Sequence, residues 1–389
     1  MFHIASWDDI KKGKTTDIYF VRTVEILNKK GIRKRVVAEF VNKKLPQNWE
    51  WGIFAGLEEC LKLLEGLPVN VEALPEGTVF YPLEPVLVIE GIYNDFAIYE
   101  TPVLGLICQA SGVATKASRF RKIAGKDKTL LDFGARRMHP ALAPMLARNA
   151  YIGGFDAVSA IKGAELIGAE PQGTMPHALI LLLGNSQEAI KAFDEIIDKK
   201  VKRVALIDTL EDEKWEAIKV CETLKEKLFG IRFDTPGSRR GNFKEILREV
   251  RWELDYRGFK DVKIVVSGGI DEKEVAELRD IVDAFGIGTS LCNSPVIDFA
   301  MDIVEIEGKP FAKRGKWSGR KKLLKCKKCG KRLIYPYHKE IKKCECGGEF
   351  ENLLKPVIKE GKIICDLPSP KEIREYVLNQ LEEIKMEGR

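Results

Sequence analysis

The sequence predicts an α/β protein built around an irregular or incomplete (β/α) barrel over residues 113–295. An N-terminal α+β domain over residues 1–112 precedes it, and a C-terminal return segment over residues 296–389 follows. Three observations carry this reading. From about residue 113, short apolar runs alternate with helix-like stretches, the pattern of βαβ units on a parallel sheet. Two glycine-rich turns, Ser267-Gly268-Gly269-Ile270 and Phe285-Gly286-Ile287-Gly288-Thr289-Ser290, each follow an apolar run. Beyond residue 296 the rhythm stops, and four cysteines gather in two close pairs.

In the first domain, Ile18 to Leu27 and Arg35 to Phe40 are rich in β-branched and apolar residues and read as strands. Phe54 to Leu64 reads as a helix closed by Gly66, Val69 to Leu74 as a strand leading into a Pro-Glu-Gly-Thr turn, and Val86 to Ile92 as a further strand. Ile98 to Ser111 is a mostly apolar helix. In the barrel region the strands are Thr129–Phe133, Phe155–Val158, Val201–Ile207, Gly230–Phe233, Val262–Val266 and Ile281–Ala284. The helices are Pro140–Arg148, with proline in its first turn, then Met175–Leu183, Ser186–Lys199, Asp212–Leu228, Asn242–Tyr256 and an acidic stretch from Asp271 to Asp280. A last helix runs from Pro370 to Met386, and the first domain is expected to be completed by residues after 296.

The composition narrows the function. The chain has 389 residues, 45% hydrophobic and 31% charged, which provides ample core. No apolar run approaches a bilayer span, and the first ten residues carry no apolar signal region, so no membrane partner and a cytoplasmic location are expected. The net charge of +6 is mild; it suits a polyanionic small molecule and does not call for nucleic acid. Nine cysteines, five of them scattered, argue for reduced thiols.

In a barrel, the loops after the strands build the site. Those loops hold Asp132-Phe133-Gly134-Ala135-Arg136-Arg137-Met138-His139, Asp156, Gly173-Thr174-Met175-Pro176-His177, Asp208-Thr209, and Arg232-Phe233-Asp234-Thr235. Arg136 and Arg137 are suited to clamping phosphate or carboxylate oxygens. Asp208 and Asp234 suit ribose hydroxyls or Mg²⁺. Ser267, Gly268, Gly269, Gly286, Gly288 and Thr289 form glycine turns whose free N–H groups can cradle a phosphate. The inventory suits a sugar carrying a phosphate at one end and a pyrophosphate at the other.

The ordered series Asp-Phe-Gly-Ala-Arg-Arg, Gly-Thr-x-x-His, Ile-Asp-Thr, Arg-x-Asp-Thr, Ser-Gly-Gly and Phe-Gly-Ile-Gly-Thr resembles the nicotinate phosphoribosyltransferases, most closely their archaeal and bacterial short form. Thr16-Asp17-Ile18-Tyr19 resembles the opening motif of the same family, and the likeness runs over roughly residues 15–325. It implies a type II phosphoribosyltransferase that joins nicotinate to phosphoribosyl pyrophosphate. It also implies that Phe133 and the Tyr19 of a second subunit sandwich the pyridine, making a homodimer with shared active sites, and a higher homo-oligomer stays open. Arg136 matches the arginine near base and pyrophosphate, and Asp208, Arg232 and Asp234 match residues around ribose and pyrophosphate. His177 matches the histidine that ATP phosphorylates in relatives, although Ala178 stands where many of them carry an acidic residue. His139, Thr174, Thr209 and Asp156 are further candidates for substrate contact. Quinolinate and nicotinamide remain open as alternative pyridines.

Cys326-Lys327-Lys328-Cys329 and Cys344-Glu345-Cys346 supply four thiolates, a set suited to a closed, structural Zn²⁺ site. This makes the C-terminal segment a small zinc-binding module. A competing function is nucleic-acid binding through the basic run Lys313-Arg314-Gly315-Lys316-Trp317-Ser318-Gly319-Arg320-Lys321-Lys322 beside that module.

Overall fold

A computed structural model describes residues 2–386 of the chain. Residue 1 and residues 387–389, the outer ends of the domains drawn above, lie outside the described residues. The chain divides into two compact units: Met1–Thr115 together with Pro295–Arg389, and Lys116–Ser294.

The first unit is built on a seven-stranded antiparallel sheet drawn from both ends of the chain. Its order is Lys309–Pro310, Phe299–Ile306, Arg35–Asn42, Pro85–Ile92, Val69–Ala73, Lys355–Lys359, Lys362–Ile363. Phe40 pairs with Met301 on one side and Leu87 on the other. Arg35–Asn42 is buried along nearly its whole length, which fits a central strand covered on both faces. A three-stranded sheet of Lys321–Cys326, Arg332–Pro336 and Phe350–Asn352 carries the cysteine cluster. The closing helix, Pro370–Glu383, opens on a capping box between Ser369 and Glu372.

Two expectations change here. Ile18–Lys29 is a helix, not a strand, and Phe20 is its buried residue. Its apolar side chains do not line a sheet: Ile18, Tyr19, Val21 and Ile26 are exposed, and a Glu25–Lys29 pair one turn apart supports the helix. Second, the helical run Tyr93–Ala124 does meet the length and composition of a bilayer crossing. The protein uses that apolar surface internally, since 56% of the window is buried, with Val103 and Ile107 in the first unit's core and Phe120 edge-on to Phe155 in the second.

The basic run, read above as the basis of a competing function, is largely tied to acidic side chains. Lys313 and Lys316 hold the two carboxylate oxygens of Asp302, Arg320 pairs with Glu72 and Glu90, and Lys321 reaches the buried Glu39 at 2.8 Å. Burial raises the Glu39 carboxyl above its usual range, and the Lys321 ammonium opposes that shift.

The second unit holds six parallel strands: β1 (Thr129–Asp132), β2 (Ala157–Val158), β3 (Val204–Leu206), β4 (Gly230–Phe233), β5 (Lys263–Val266) and β6 (Ala284–Ile287). Their order is β2-β1-β6-β5-β4-β3. Neighbours in space are therefore neighbours in sequence, with the first and last strands in contact and β2 and β3 left as the two edges. Helix starts are set by side-chain caps: Asn185 accepts from the Glu188 N–H, Asp212 from Lys214, and Asp271 from Lys273 and Glu274. Helix Glu213–Leu224 stops earlier than the sequence pattern implies, at Lys225, where φ is +49°. Helix Ala143–Ile152 uses Pro144, not Pro140, in its first turn.

Candidate active site

The C-terminal ends of the parallel strands surround a cavity of about 420 Å³. β1 delivers the first wall. Asp132, 1% exposed, accepts the Gly134 N–H at 2.7 Å, and this bond folds the chain into the turn Ala135–Arg137. Phe133, Ala135, Arg136 and Arg137 then face the cavity. Burial raises the Asp132 carboxyl to about 6.

The Phe133 ring rests on Gly286. A β-carbon there would lie 2.4 Å from the ring, so only glycine leaves room for the aromatic platform. Gly286 lies inside β6, underlies Phe133 and lines the cavity together with Gly288, Thr289, Ser267, Gly268 and Gly269. Gly268 and Gly269 have φ of +77° and +68°, successive left-handed residues that favour glycine.

β4 carries Arg232 within the strand, where Nη1 donates to Thr174 Oγ1 at 2.5 Å and the guanidinium stands 5.9 Å from the Phe133 ring centroid. Burial lowers its pKa. Asp234 follows the strand and accepts from Ser267 Oγ at 2.6 Å, tying the β4 loop to the first glycine turn. Behind Asp234 lies an acidic cluster. Asp208 Oδ2 accepts the Asp234 N–H at 2.6 Å, while its Oδ1 is buried without a hydrogen-bond partner. His177 Nε2 sits 3.4 Å from Asp234 and 3.9 Å from Asp208, and its Nδ1 meets Thr209 Oγ1 at 3.0 Å. Burial is the main cause that raises Asp208 to about 6. His177, Asp208 and Thr209 thus join the cavity through Asp234 without lining it.

Other expected residues lie elsewhere. Asp156 precedes β2, at the N-terminal end of the sheet, where it pairs with Arg121 and accepts the Leu130 N–H at 2.8 Å. The residue that follows β2 and lines the cavity is Ser159, three positions after the expected Asp156. His139 is exposed, and its Nδ1 accepts the Ala141 N–H at 3.2 Å. Tyr19 is an exposed residue of helix Ile18–Lys29 in the first unit. Gly173, Met175 and Pro176 also line the cavity; as apolar or featureless loop residues they carried no chemical signal.

In the first unit, the sulfurs of Cys326, Cys329, Cys344 and Cys346 all lie within 4.8 Å of one another. The Cys326–Cys346 and Cys329–Cys344 separations are 3.5 and 3.7 Å. Zinc–sulfur bonds of about 2.3 Å in a tetrahedron put sulfurs about 3.8 Å apart, so the cluster fits such an ion. Gly348 is required by space, since a β-carbon would come within 2.7 Å of Cys326 Sγ.

Comparison with known proteins adds to this geometry. Residues 17–111 match the quinolinate phosphoribosyl transferase N-terminal domain family, residues 113–302 its C-terminal domain family, and residues 330–389 the nicotinate phosphoribosyltransferase C-terminal domain family. The structure of a nicotinate-nucleotide pyrophosphorylase from Pyrococcus furiosus is 53% identical, with a TM-score of 0.96 and 99% of each chain covered. A nicotinate phosphoribosyltransferase of Mycobacterium tuberculosis is 29% identical, over 96% of this chain and 88% of that protein. Human nicotinic acid phosphoribosyltransferase, 21% identical with a TM-score of 0.78 over 95% of this chain and 94% of the other, shares the fold.

Proposed function

The chain belongs to the nicotinate phosphoribosyltransferase family, and on that premise we propose that it joins nicotinate to phosphoribosyl pyrophosphate, giving nicotinate mononucleotide and pyrophosphate in NAD salvage. The observation that carries the reading is that one cavity is lined both by the Ser267-Gly268-Gly269 turn and by Phe133 with Arg136, Arg137 and Arg232. That is room for a ribose held by a 5′-phosphate at one end and by pyrophosphate and pyridine at the other. We read the parallel sheet as an incomplete barrel, open between β2 and β3.

The chemistry asks little of acid–base groups. The nicotinate ring nitrogen already carries the attacking lone pair, and the bond from the anomeric carbon to pyrophosphate breaks with positive charge building on the ribose. Catalysis is then orientation and charge stabilisation. The platform on Gly286 sets the plane of the pyridine. Arg136, Arg137 and Arg232 take the negative charge that grows on the leaving pyrophosphate. Asp208 and Asp234 fit Mg²⁺: both are hard oxygen donors, and Asp208 Oδ1 is buried without a hydrogen-bond partner among the described residues. Bound there, the ion would offset the pyrophosphate charge. Tyr19 of a partner subunit covers the pyridine face opposite Phe133, and its exposure supports that arrangement. Zn²⁺ on the four cysteines is structural. The enzyme works in the cytoplasm, a reading supported by nine cysteines of which none forms a disulfide. The pairing of most of the basic run with acids argues against nucleic acid as the partner.

Turnover with phosphoribosyl pyrophosphate and, in turn, nicotinate, quinolinate and nicotinamide tests the reading. Nicotinate mononucleotide forms from nicotinate without carbon dioxide release. No turnover with nicotinate, or decarboxylating turnover of quinolinate alone, overturns it. Coupling to ATP is tested with γ-labelled ATP: label is expected on His177 and lost in H177N, and its absence from the unaltered enzyme removes the coupling.

A further inference from the structure

Arg240 has no place in the motifs read above, yet it holds the glycine turn from behind. Its Nε donates to the Thr235 carbonyl at 2.8 Å, and its Nη2 donates to the carbonyls of Ser267, at 2.9 Å, and Gly268. Its Nη1 lies 4.0 Å from where a Gly269 β-carbon would be. The guanidinium stacks 4.8 Å from the Phe243 ring centroid, which fixes its plane. One side chain therefore joins the β4 loop to the turn after β5.

The backbone explains what this does. A helical turn of either hand points its carbonyls one way and its N–H groups the other. Gly268 and Gly269 make such a left-handed turn, and the two carbonyls that Arg240 takes are on one side of it. Among the described residues, nothing accepts from the N–H groups of Gly268, Gly269 or Ile270. A guanidinium on those carbonyls holds the turn with its N–H groups aimed the opposite way and adds a positive charge behind the cradle.

We propose that Arg240 is a positioning residue for the substrate's 5′-phosphate, acting through the Ser267-Gly268-Gly269 turn; the assignment rests on the function proposed above. It does not line the cavity. Lysine replaces it poorly, because one ammonium does not reproduce a planar fork spanning the carbonyls of Thr235, Ser267 and Gly268.

The test uses the full chain with R240M and R240K. Ribose 5-phosphate, which carries only the 5′-phosphate, and magnesium pyrophosphate, which mimics only the other end, are titrated calorimetrically. Losing charged hydrogen bonds is expected to weaken ribose 5-phosphate binding about tenfold or more in R240M, with R240K between it and the unaltered enzyme. Pyrophosphate binding should stay within about twofold. A merely structural role would weaken both ligands together, and that result, or unchanged ribose 5-phosphate binding, overturns the assignment. Should R240M fail to fold, R240K carries the same comparison. If the unaltered enzyme turns over nicotinate while R240K and R240M bind ribose 5-phosphate normally, Arg240 alone fails. If the unaltered enzyme neither turns over nor binds ribose 5-phosphate, the function reading fails with it.

Discussion

Adding one methyl group at Gly286 should damage the site more than its size suggests. An alanine β-carbon would lie 2.4 and 2.5 Å from two carbons of the Phe133 ring and 3.1 Å from the Ser267 β-carbon. Non-bonded carbons settle at about 3.5–4.0 Å, so the ring has to withdraw by about 1 Å. Gly286 has no left-handed φ, so alanine suffers no dihedral penalty and the steric effect stands alone. Overpacking of this kind costs about 1–3 kcal/mol of stability. A misplacement of about 1 Å at a reacting partner can cost on the order of a hundredfold in rate. Steady-state kinetics on G286A should therefore show kcat/KM for nicotinate falling by about ten- to a hundredfold, with a smaller change in KM for phosphoribosyl pyrophosphate. G173A is the control: Gly173 lines the same cavity, but a β-carbon there meets nothing within 4 Å. If G286A keeps the normal nicotinate kinetics, or if G173A loses as much, the platform argument is wrong.

Two further outcomes concern metal and pH. Metal analysis should find about one zinc per chain, and C344S should lose it together with several degrees of Tm, while the folded variant keeps most of its transferase activity; retained zinc in C344S would remove the four-sulfur site. Asp132 is raised to about 6, so the folded protein holds its proton more tightly than the unfolded chain does. That contribution is present in full below about pH 4 and is lost as pH rises through about 6, so Tm measured from pH 4 to 7 should decline more steeply for the unaltered protein than for D132N. Asparagine can still accept the Gly134 N–H, and parallel curves for the two proteins would refute the shift.

Where a strand ends in a chemically distinctive residue, the residues read from the sequence coincide with the lining of the cavity. Phe133, Arg136, Arg137, Thr174, Arg232, Asp234 and the glycine turns all line the cavity. Periodic patterns are weak over two-residue strands, and this explains why Asp156, just before Ala157–Val158, is read at the strand end where Ser159, three positions on, lines the cavity. Ile18–Lys29 misled for a different reason. Its β-branched composition resembles a strand, but Ile18, Tyr19, Val21 and Ile26 are exposed, so burial did not select the whole pattern. Arg240 was invisible because its role depends on carbonyls 27 and 28 positions away in sequence, brought beside it by parallel pairing of β4 and β5. The membrane-like run Tyr93–Ala124 shows the converse: length and hydropathy record how apolar a helix is, not what covers it.

The sheet of the first unit has a consequence for synthesis. Its strands from the first part of the chain, Arg35–Asn42, Val69–Ala73 and Pro85–Ile92, leave the ribosome long before Phe299–Ile306, the partner of Arg35–Asn42. Until then the apolar strand Val36-Val37-Ala38-Glu39-Phe40-Val41 presents an open edge, the kind of surface on which nascent chains aggregate. The second unit, continuous from Lys116 to Ser294, has all six of its strands in hand during that wait. The catalytic cavity is thus assembled from a single uninterrupted stretch of nascent chain, while the older N-terminal strands remain a half-made sheet awaiting the last quarter of translation.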